Sequence, residues 1–531
     1  MGIEREILPG CEGAVRSDCA DETGANKAQE GGGGKPRYEA IDREQLCWRR
    51  VDVERLIGEE HAARAIWEFV GKLDLSRYSE EARAVEGKAG RPAWEPGLLI
   101  SLWVYAYSEG VNSGRAIEDL CEWEPAYQWL TGMEVVNYHT LADFRVQHRQ
   151  ALDGLFIEVL GVLSHQGLIT LKRVMHDGTK IKASAADKSF RRKATLESHL
   201  KEAQKQVEAM GDPHCEQLSQ RQAQARKRAL RQKQERLEQA LKELEELKRA
   251  RAKELAKQKA KGKEKELRAS TTDPQARPMK QAKGAFGPAY NIQISTDAKA
   301  KVIVGVGVSQ SSTDTGELEA AVKRIETNLG QTPEQMVVDA AYPTHSTIET
   351  MADQGIDLIG PLREIKKAPW DSLKRRGVSK EFYPEAFTYD PTTDRYTCPA
   401  GKVLSFETEE RQNGWVKRRY RARASQCRSC PFQARCCPGS KKGRSVLRMH
   451  KTAQLAAFEA KMQTEEACQI YKQRAGVAEF PNAWIKDKFG LRQLRLRGVV
   501  KVGVEALWVC LTYNICQWLR LCWKPNRLAH A

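Results

Sequence analysis

The sequence predicts an α/β protein: one mixed sheet with covering helices, preceded by a helical region and interrupted by two insertions. Three observations predict it. Between about Ile169 and Gly360, short apolar runs and amphipathic segments follow one another in a β-β-β-α-β-α-β order. Before them, from about Arg49 to Ile169, apolar residues recur at helical spacing. The composition then shifts sharply in two stretches, about Lys188 to Lys283 and about Arg363 to Ile470.

The chain has 531 residues, enough for two to four domains with a large core, and 41% of them are hydrophobic. It carries 87 Lys and Arg against 70 Asp and Glu, a formal net charge of +17, so polyanions are the expected partners. Residues 1–44 read as a disordered leader, polar and mixed in charge, with Gly31–Gly34 followed by Lys35-Pro36. No positively charged start followed by an apolar run marks a secretory signal. The most apolar stretch, Val502 to Trp523, is broken by Glu505, Asn514, Gln517 and Arg520, so it reads as a buried terminal helix and not a membrane span. Fourteen cysteines in so long a chain are too sparse for a disulfide scaffold, and a reducing cytoplasm is expected.

The helical region, 45–168, has one apolar stretch from Leu98 to Tyr107 and a second through Ile117, Leu120, Cys121, Tyr127, Trp129 and Leu130. Gly90-Arg91-Pro92 and Gly110 to Gly114 bound them. A strand from Ile169 to Met175 is expected to end at His176-Asp177-Gly178, with a second short run starting at Ile181. Strands follow at Tyr290–Ser295 and Val302–Val308, joined by a turn at Asp297–Lys299. A helix near 316–329, a short strand at Met336–Val338 delivering Asp339, a helix near 345–354 and a strand at 357–360 complete the order.

The first insertion, 188–283, centres on a long helix with a heptad-like stripe of Leu230, Leu237, Leu241, Leu244 and Leu247. Residues 221–270 hold 18 Lys and Arg against 8 Asp and Glu, a net +10. Such a helix is either the charged, solvated face of a dimeric coil or a clamp on phosphates. The second insertion, 363–470, is basic and aromatic and contains Cys398, Cys427-Arg428-Ser429-Cys430 and Cys436-Cys437. Cys427 and Cys430 have zinc-knuckle spacing, and Cys398 and Cys436 complete a tetrahedral thiolate set for structural Zn²⁺; the alternative is free thiols.

Asp177 and Asp339 each fall at the expected C-terminal end of an apolar strand and precede small residues. Two carboxylates brought together repel unless a cation lies between them. Mg²⁺ is hard, prefers oxygen ligands and keeps positions for water or phosphate. Two such ions about 3.5–4 Å apart stabilise both the attacking and the leaving oxygen of a phosphodiester. The bland alternative is that each Asp caps a turn.

At these residues the sequence resembles a known family. His176-Asp177-Gly178-Thr179-Lys180-Ile181-Lys182-Ala183 resembles the first-aspartate motif of bacterial insertion-sequence transposases of the DDE type. Thr272–Lys280 with Ala289–Gln293 resembles the entry to their second strand, and Val338-Asp339-Ala340-Ala341-Tyr342 their second-aspartate motif. Ala478-Glu479-Phe480-Pro481, Ile485-Lys486 and Leu496-Arg497-Gly498 resemble the glutamate motif, with Tyr471, Arg474, Glu479 and Lys486 close to its Tyr-Arg-Glu-Lys signature. Gly90–Ala93, Ser113, Arg115, Glu118 and His139–Arg145 resemble an InsH-like N-terminal domain.

The resemblance implies an RNase H-like core, formed by 169–187 with 284–362 and completed by 471–531. Asp177, Asp339 and Glu479 would be its catalytic, Mg²⁺- or Mn²⁺-binding triad. It implies cleavage at the ends of an element and strand transfer into target DNA. The partners would be double-stranded terminal repeats and target DNA, bound by a homodimer at the nucleoid of the cytoplasm, with no membrane. Tyr471, Arg474, Lys486, Arg497 and Arg145 are the candidate DNA contacts. Two rivals are a catalytically inactive relative that binds DNA and an RNase H-like nuclease without strand transfer. The sequence departs from the family in having four residues, not three, between Arg474 and Glu479, and in placing Phe480 before Pro481. Proline favours the first helical turn, so Glu479 is expected just before a helix.

Overall fold

The computed structural model describes residues 50–79, 92–209, 219–258, 266–281, 284–362, 371–412 and 415–524. The expected leader lies outside them. Asp52–Ala531 forms one compact unit. Its helical part contains α1 (Ala62–Val70), α2 (Pro96–Ser108), α3 (Gly114–Trp123), α4 (Pro125–Thr131), α5 (Tyr138–Gln147) and α6 (Arg149–His165). Pro96 opens α2, where its missing N–H costs nothing, and every residue from Gly97 to Ser108 is buried. An apolar helix of this kind must sit inside a core. Glu124 caps α4 by accepting from the Ala126 and Tyr127 N–H groups, and Gly132, at φ 62°, ends it.

The principal sheet contains β1 (Val174–Lys182), β2 (Arg277–Lys280), β3 (Phe286–Asp297), β4 (Ile303–Ser309), β5 (Gln335–Val337) and β6 (Asp357–Ile359). β1 lies at its centre, antiparallel to β3 and parallel to β5, which in turn pairs in parallel with β6. β2 and β4 both pair antiparallel with β3, on different segments of it. The expected break after Met175 does not occur. β1 runs unbroken through His176, Asp177 and Thr179, because its polar side chains find partners across the sheet. The ring of His176, for example, bonds Ser295 and Gln293. Ile169–Lys172 lies outside the strand, and the Thr170 and Leu171 N–H groups donate to the Asp297 carboxylate.

The first insertion folds as a helical hairpin, α7 (Lys193–Ala209) and α8 (Gln220–Gln258). Leu237, Ala240 and Leu244 of α8 pack on Leu196 and Ala203 of α7. The middle of the leucine stripe, Leu237, Leu241 and Leu244, is therefore covered within the same chain by an intramolecular hairpin. Glu243, buried within α8, pairs with Arg277 and accepts from Gln275 Nε2 at 3.0 Å, which ties the hairpin to β2. Truncating Leu244 to Ala is expected to cost about 2–5 kcal/mol locally. Faster amide exchange across α7 and α8 with an unchanged solution mass would report this; a changed mass would restore the coil reading.

Helices α9 (Leu318–Leu329) and α10 (His345–Asp353) alternate with the parallel strands. The second insertion is a five-stranded antiparallel sheet, β7 (Thr388–Asp390), β8 (Arg395–Thr397), β9 (Val403–Gln412), β10 (Trp415–Ala422) and β11 (Ser445–Lys451), paired in sequence order. It stops short of the expected Ile470: α11 (Ala453–Met462) and α12 (Glu465–Arg474) already return to the principal core.

Glu465 to Asp487 is one continuous helical run: α12, a π-helical turn at Ala475–Glu479, then α13 (Phe480–Asp487). Glu479 is thus inside the run and not before its start. Pro481 lacks the donor that an α-helical bond four residues back requires, and the wider turn just upstream accommodates it. The final helix, α14 (Val499–Leu521), packs on α1, α2, α6 and β4. Asn514, polar in an apolar stretch, accepts from Ile303 N and donates to Ile303 O, both at 2.8 Å, fastening α14 to β4. Among the described residues, α14 is the one helix long and apolar enough to cross a membrane, yet 67% of its most apolar window is buried within the protein.

Candidate active site

Asp177 is the fourth residue of β1, and Asp339 follows the end of the neighbouring parallel strand β5 by two positions. The backbone turns after Asp339, where Oδ1 accepts from Ala341 N at 2.8 Å. Adjacent parallel strands thus bring together two acids 162 residues apart in the chain. Burial pushes the Asp177 carboxyl up to about 6, and the charge of Asp339 acts in the same direction against the opposing effect of Arg474.

Glu479 joins through that arginine. Arg474 lies 3.8 Å from Asp177 Oδ1 through Nη1 and 3.7 Å from Glu479 Oε1 through Nη2. The π turn makes this possible. A turn bonded i to i+5 stacks residue i+5 over residue i, so the additional residue between Arg474 and Glu479 is absorbed and both side chains share a face. Asn482, one turn beyond Glu479, donates from Nδ2 to Asp177 Oδ2 at 3.2 Å. Its Oδ1 is buried without a partner. Lys486, half-buried on the same helix, is within electrostatic reach of Asp177.

Below Asp177 lies a polar network. Ser295 Oγ is 2.8 Å from His176 Nδ1, and His176 Nε2 is 2.9 Å from Gln293 Oε1. Gln293 Oε1 also accepts from Tyr342 Oη at 2.8 Å. Since that amide oxygen only accepts, the imidazole carries its proton on Nε2. Burial, aided by nearby Arg324, holds its pKa down to about 3, so the ring stays neutral at ordinary pH.

The other expected contacts fall in different places. Arg145 is buried, its guanidinium 4.6 Å over Trp103, donating to Tyr107 Oη and to Asn112 O at 3.1 Å. It belongs to the core and presents no surface to DNA. Tyr471 packs partly buried beside Met175, Val337 and Ile470. Arg497 is exposed and donates to Ser184 O at 3.2 Å. Arg474, expected at a phosphate, lies between two carboxylates. Asn482, Gln293 and Arg474's bridging position went unread in the sequence; the one available signal was Asn482's place three residues after Glu479 on a helix.

In the second sheet Cys398, Cys427, Cys430, Cys436 and Cys437 line one cavity of about 30 Å³. Backbone N–H groups of Lys402 and Arg444 donate to the sulfurs of Cys398 and Cys427 at 3.3 and 3.4 Å. Burial pushes the Cys436 thiol up to about 12. Among the described residues, no three His, Cys, Asp or Glu side chains are grouped so as to hold a metal ion, here or at Asp177. The donors nevertheless suit their expected ions in kind. Paired carboxylates and an orphaned amide oxygen suit a hard divalent cation; clustered thiols with N–H···S bonds suit zinc.

The acidic pair, with cations of the same chain beside it, is flanked on both sides by sequence of a known class. Residues 397–519 match the transposase DDE domain, and residues 51–147 match a transposase domain (DUF772). The chain is thus a transposase by class, and the two matches together support membership of the insertion-sequence transposases of the DDE type. The first match contains Arg474 and Glu479 and begins beyond both aspartates; the second spans α1 to α5. No curated protein and no solved structure matches the chain.

Proposed function

We propose that this transposase cuts DNA at the ends of its element and joins the freed 3′ ends to target DNA, with Asp177, Asp339 and Glu479 holding Mg²⁺ or Mn²⁺. One observation carries the reading: β1 and β5 bring Asp177 and Asp339 together, and Arg474 ties Glu479 to the same place. The strand arrangement supports it, since β1 is central, antiparallel to the long β3 and parallel to the short β5, as expected for an RNase H-like core. When bound, a divalent cation supplies positive charge that lowers the pKa of attacking water and stabilises the leaving oxygen. Asp177 and Asp339 would fix where that charge sits, because β1 carries the first and the chain leaving β5 carries the second. Arg474 neutralises Asp177 and Glu479 in the meantime and, with Lys486, offers positive charge to a phosphate of the scissile strand. Water displaces the 3′ oxygen from phosphorus, leaving a 3′-hydroxyl and a 5′-phosphate. The hydroxyl then attacks a target phosphodiester, with no covalent protein intermediate.

The helical region, 45–168, would recognise the terminal repeats, and pairing two ends calls for two copies of the chain. The exposed first half of α8 favours the phosphate clamp, since residues 220–234 hold six Lys and Arg and no acid. Cys398, Cys427, Cys430 and Cys436 would hold structural Zn²⁺, with Cys437 beside them. The site of action is the nucleoid.

The test is a labelled duplex bearing the element's ends, incubated with target plasmid and Mg²⁺. Joined products are expected, and Glu479→Gln is expected to lower both cleavage and joining at least about 100-fold. Cleavage untouched by Glu479→Gln would remove Glu479 from the triad. Nicks without joining would support the simple nuclease. Salt-sensitive binding without any cleavage would identify an inactive relative.

A further inference from the structure

We infer that the concave face of the second sheet docks single-stranded DNA, with bases stacking on Phe406 and phosphates meeting Arg448 and the cations around it. The inference does not depend on the cleavage chemistry and holds for an inactive relative as well. Residues 411–458 carry thirteen Lys and Arg and no Asp or Glu. Both β10 and β11 lie within that stretch. So dense a positive charge is complementary to a polyanion.

Strands β7 and β11 are the two outer strands of the sheet, and in a flat sheet four strand spacings would set them roughly 19 Å apart. Yet the guanidinium of Arg448, on β11, lies 4.0 Å from the ring centre of Tyr389, on β7. The sheet is therefore curled, and this face is its concave side. Leu404, Tyr420, Ala422 and Val446 fill the floor of the curl, none of them more than 3% exposed. Phe406 pairs with Tyr420 across β9 and β10 and shares its face, but it is 45% exposed. Its ring stands edge-on to Tyr420 at 6.0 Å, with the Arg418 guanidinium 5.1 Å away. The floor is closed without it, and its ring is left facing solvent among cations.

The charges on this face are also incomplete. Arg418 and Arg448 are directly opposite each other on β10 and β11, a placement that destabilises a sheet when the charges are alike. Asp394 and Glu409 balance Arg418 at 3.3 and 3.0 Å. Among the described residues no carboxylate lies within ion-pairing distance of Arg448, and a phosphate there would restore the balance. A duplex would satisfy the charge but not the ring, because its bases are stacked on one another. An unpaired strand offers base faces and phosphates together. The Arg448 guanidinium, flat on Tyr389, widens the stacking surface.

The test is fluorescence anisotropy of the full chain, in chelator, with a labelled oligothymidylate and with a duplex of equal length that lacks the element's ends. Wild type is expected to bind the single strand. Phe406→Leu keeps an apolar side chain but removes the ring. It is expected to weaken single-strand binding about 5- to 100-fold, with duplex binding and melting temperature unchanged. Arg448→Gln is expected to weaken single-strand binding and to lower its slope of log affinity against log salt by about 0.7. Wild-type affinity for the single strand in both variants would overturn the inference, as would its absence from the wild type. Equal losses on the duplex would overturn it too, by making the face a general phosphate surface.

Discussion

Asp177→Asn is expected to lose cleavage by about a thousandfold or more while melting no lower than the wild type in chelator. The first half follows from the charge that the aspartate would position: several kcal/mol of transition-state stabilisation is about three powers of ten in rate. The second half follows from its surroundings. The Asp177 side chain is 19% exposed and its carboxyl is pushed up to about 6 from 3.8. A carboxyl whose pKa rises on folding destabilises the fold at neutral pH. That penalty shrinks as pH falls through about 6 and is gone below 3.8. At 1.36 kcal/mol per unit it is on the order of 3 kcal/mol. A neutral amide avoids it. Cleavage at the wild-type rate would remove Asp177 from the chemistry; a clear drop in melting temperature would make it a structural residue instead.

The second large effect is expected far from the site. Glu505 is fully buried on α14, and its carboxylate accepts from the Arg495 N–H at 3.1 Å and the Leu496 N–H at 2.9 Å. It also faces the charge of buried Arg145. Glu505→Ala strands two backbone donors and leaves that guanidinium without its counter-charge. Breaking a buried pair in this way costs about 3–5 kcal/mol. Urea denaturation should show it, with Glu505→Gln losing less because one acceptor oxygen remains. Equal stability of Glu505→Ala and wild type would refute the argument. Burial pushes the Glu505 carboxyl upward, so the stability of the wild type relative to Glu505→Gln should increase as pH falls.

What the sequence revealed and what it concealed divide along a physical line. Strands β3 and β4 and helix α9 were legible because apolar alternation and helical spacing are local. The continuity of β1 was not. His176 reads as a polar break until its partners are known, and Ser295 and Gln293 are 119 and 117 residues away. Arg145 read as a surface cation for the same reason: Tyr107, Asn112 and Trp103 are distant in the chain. Asp177, Asp339 and Glu479 could be picked out, but the bridging arginine could not, since Arg474 reaches Glu479 only through a π turn. The leucine stripe of α8 was visible; that α7 would cover its middle was not, because a stripe does not itself specify the surface that will face it.

The docking of α14 against α1 and α2 has a consequence for biosynthesis. Helix α1 emerges from the ribosome some 430 residues before α14 begins. At about 5–20 residues per second that interval is roughly 20–90 s. Throughout it, the apolar faces that α14 will cover are without their native partner, and so is the β4 backbone that Asn514 will bind. The nascent chain thus passes through a long stage as a client for chaperones, and its core closes only when the C-terminal helix has been made.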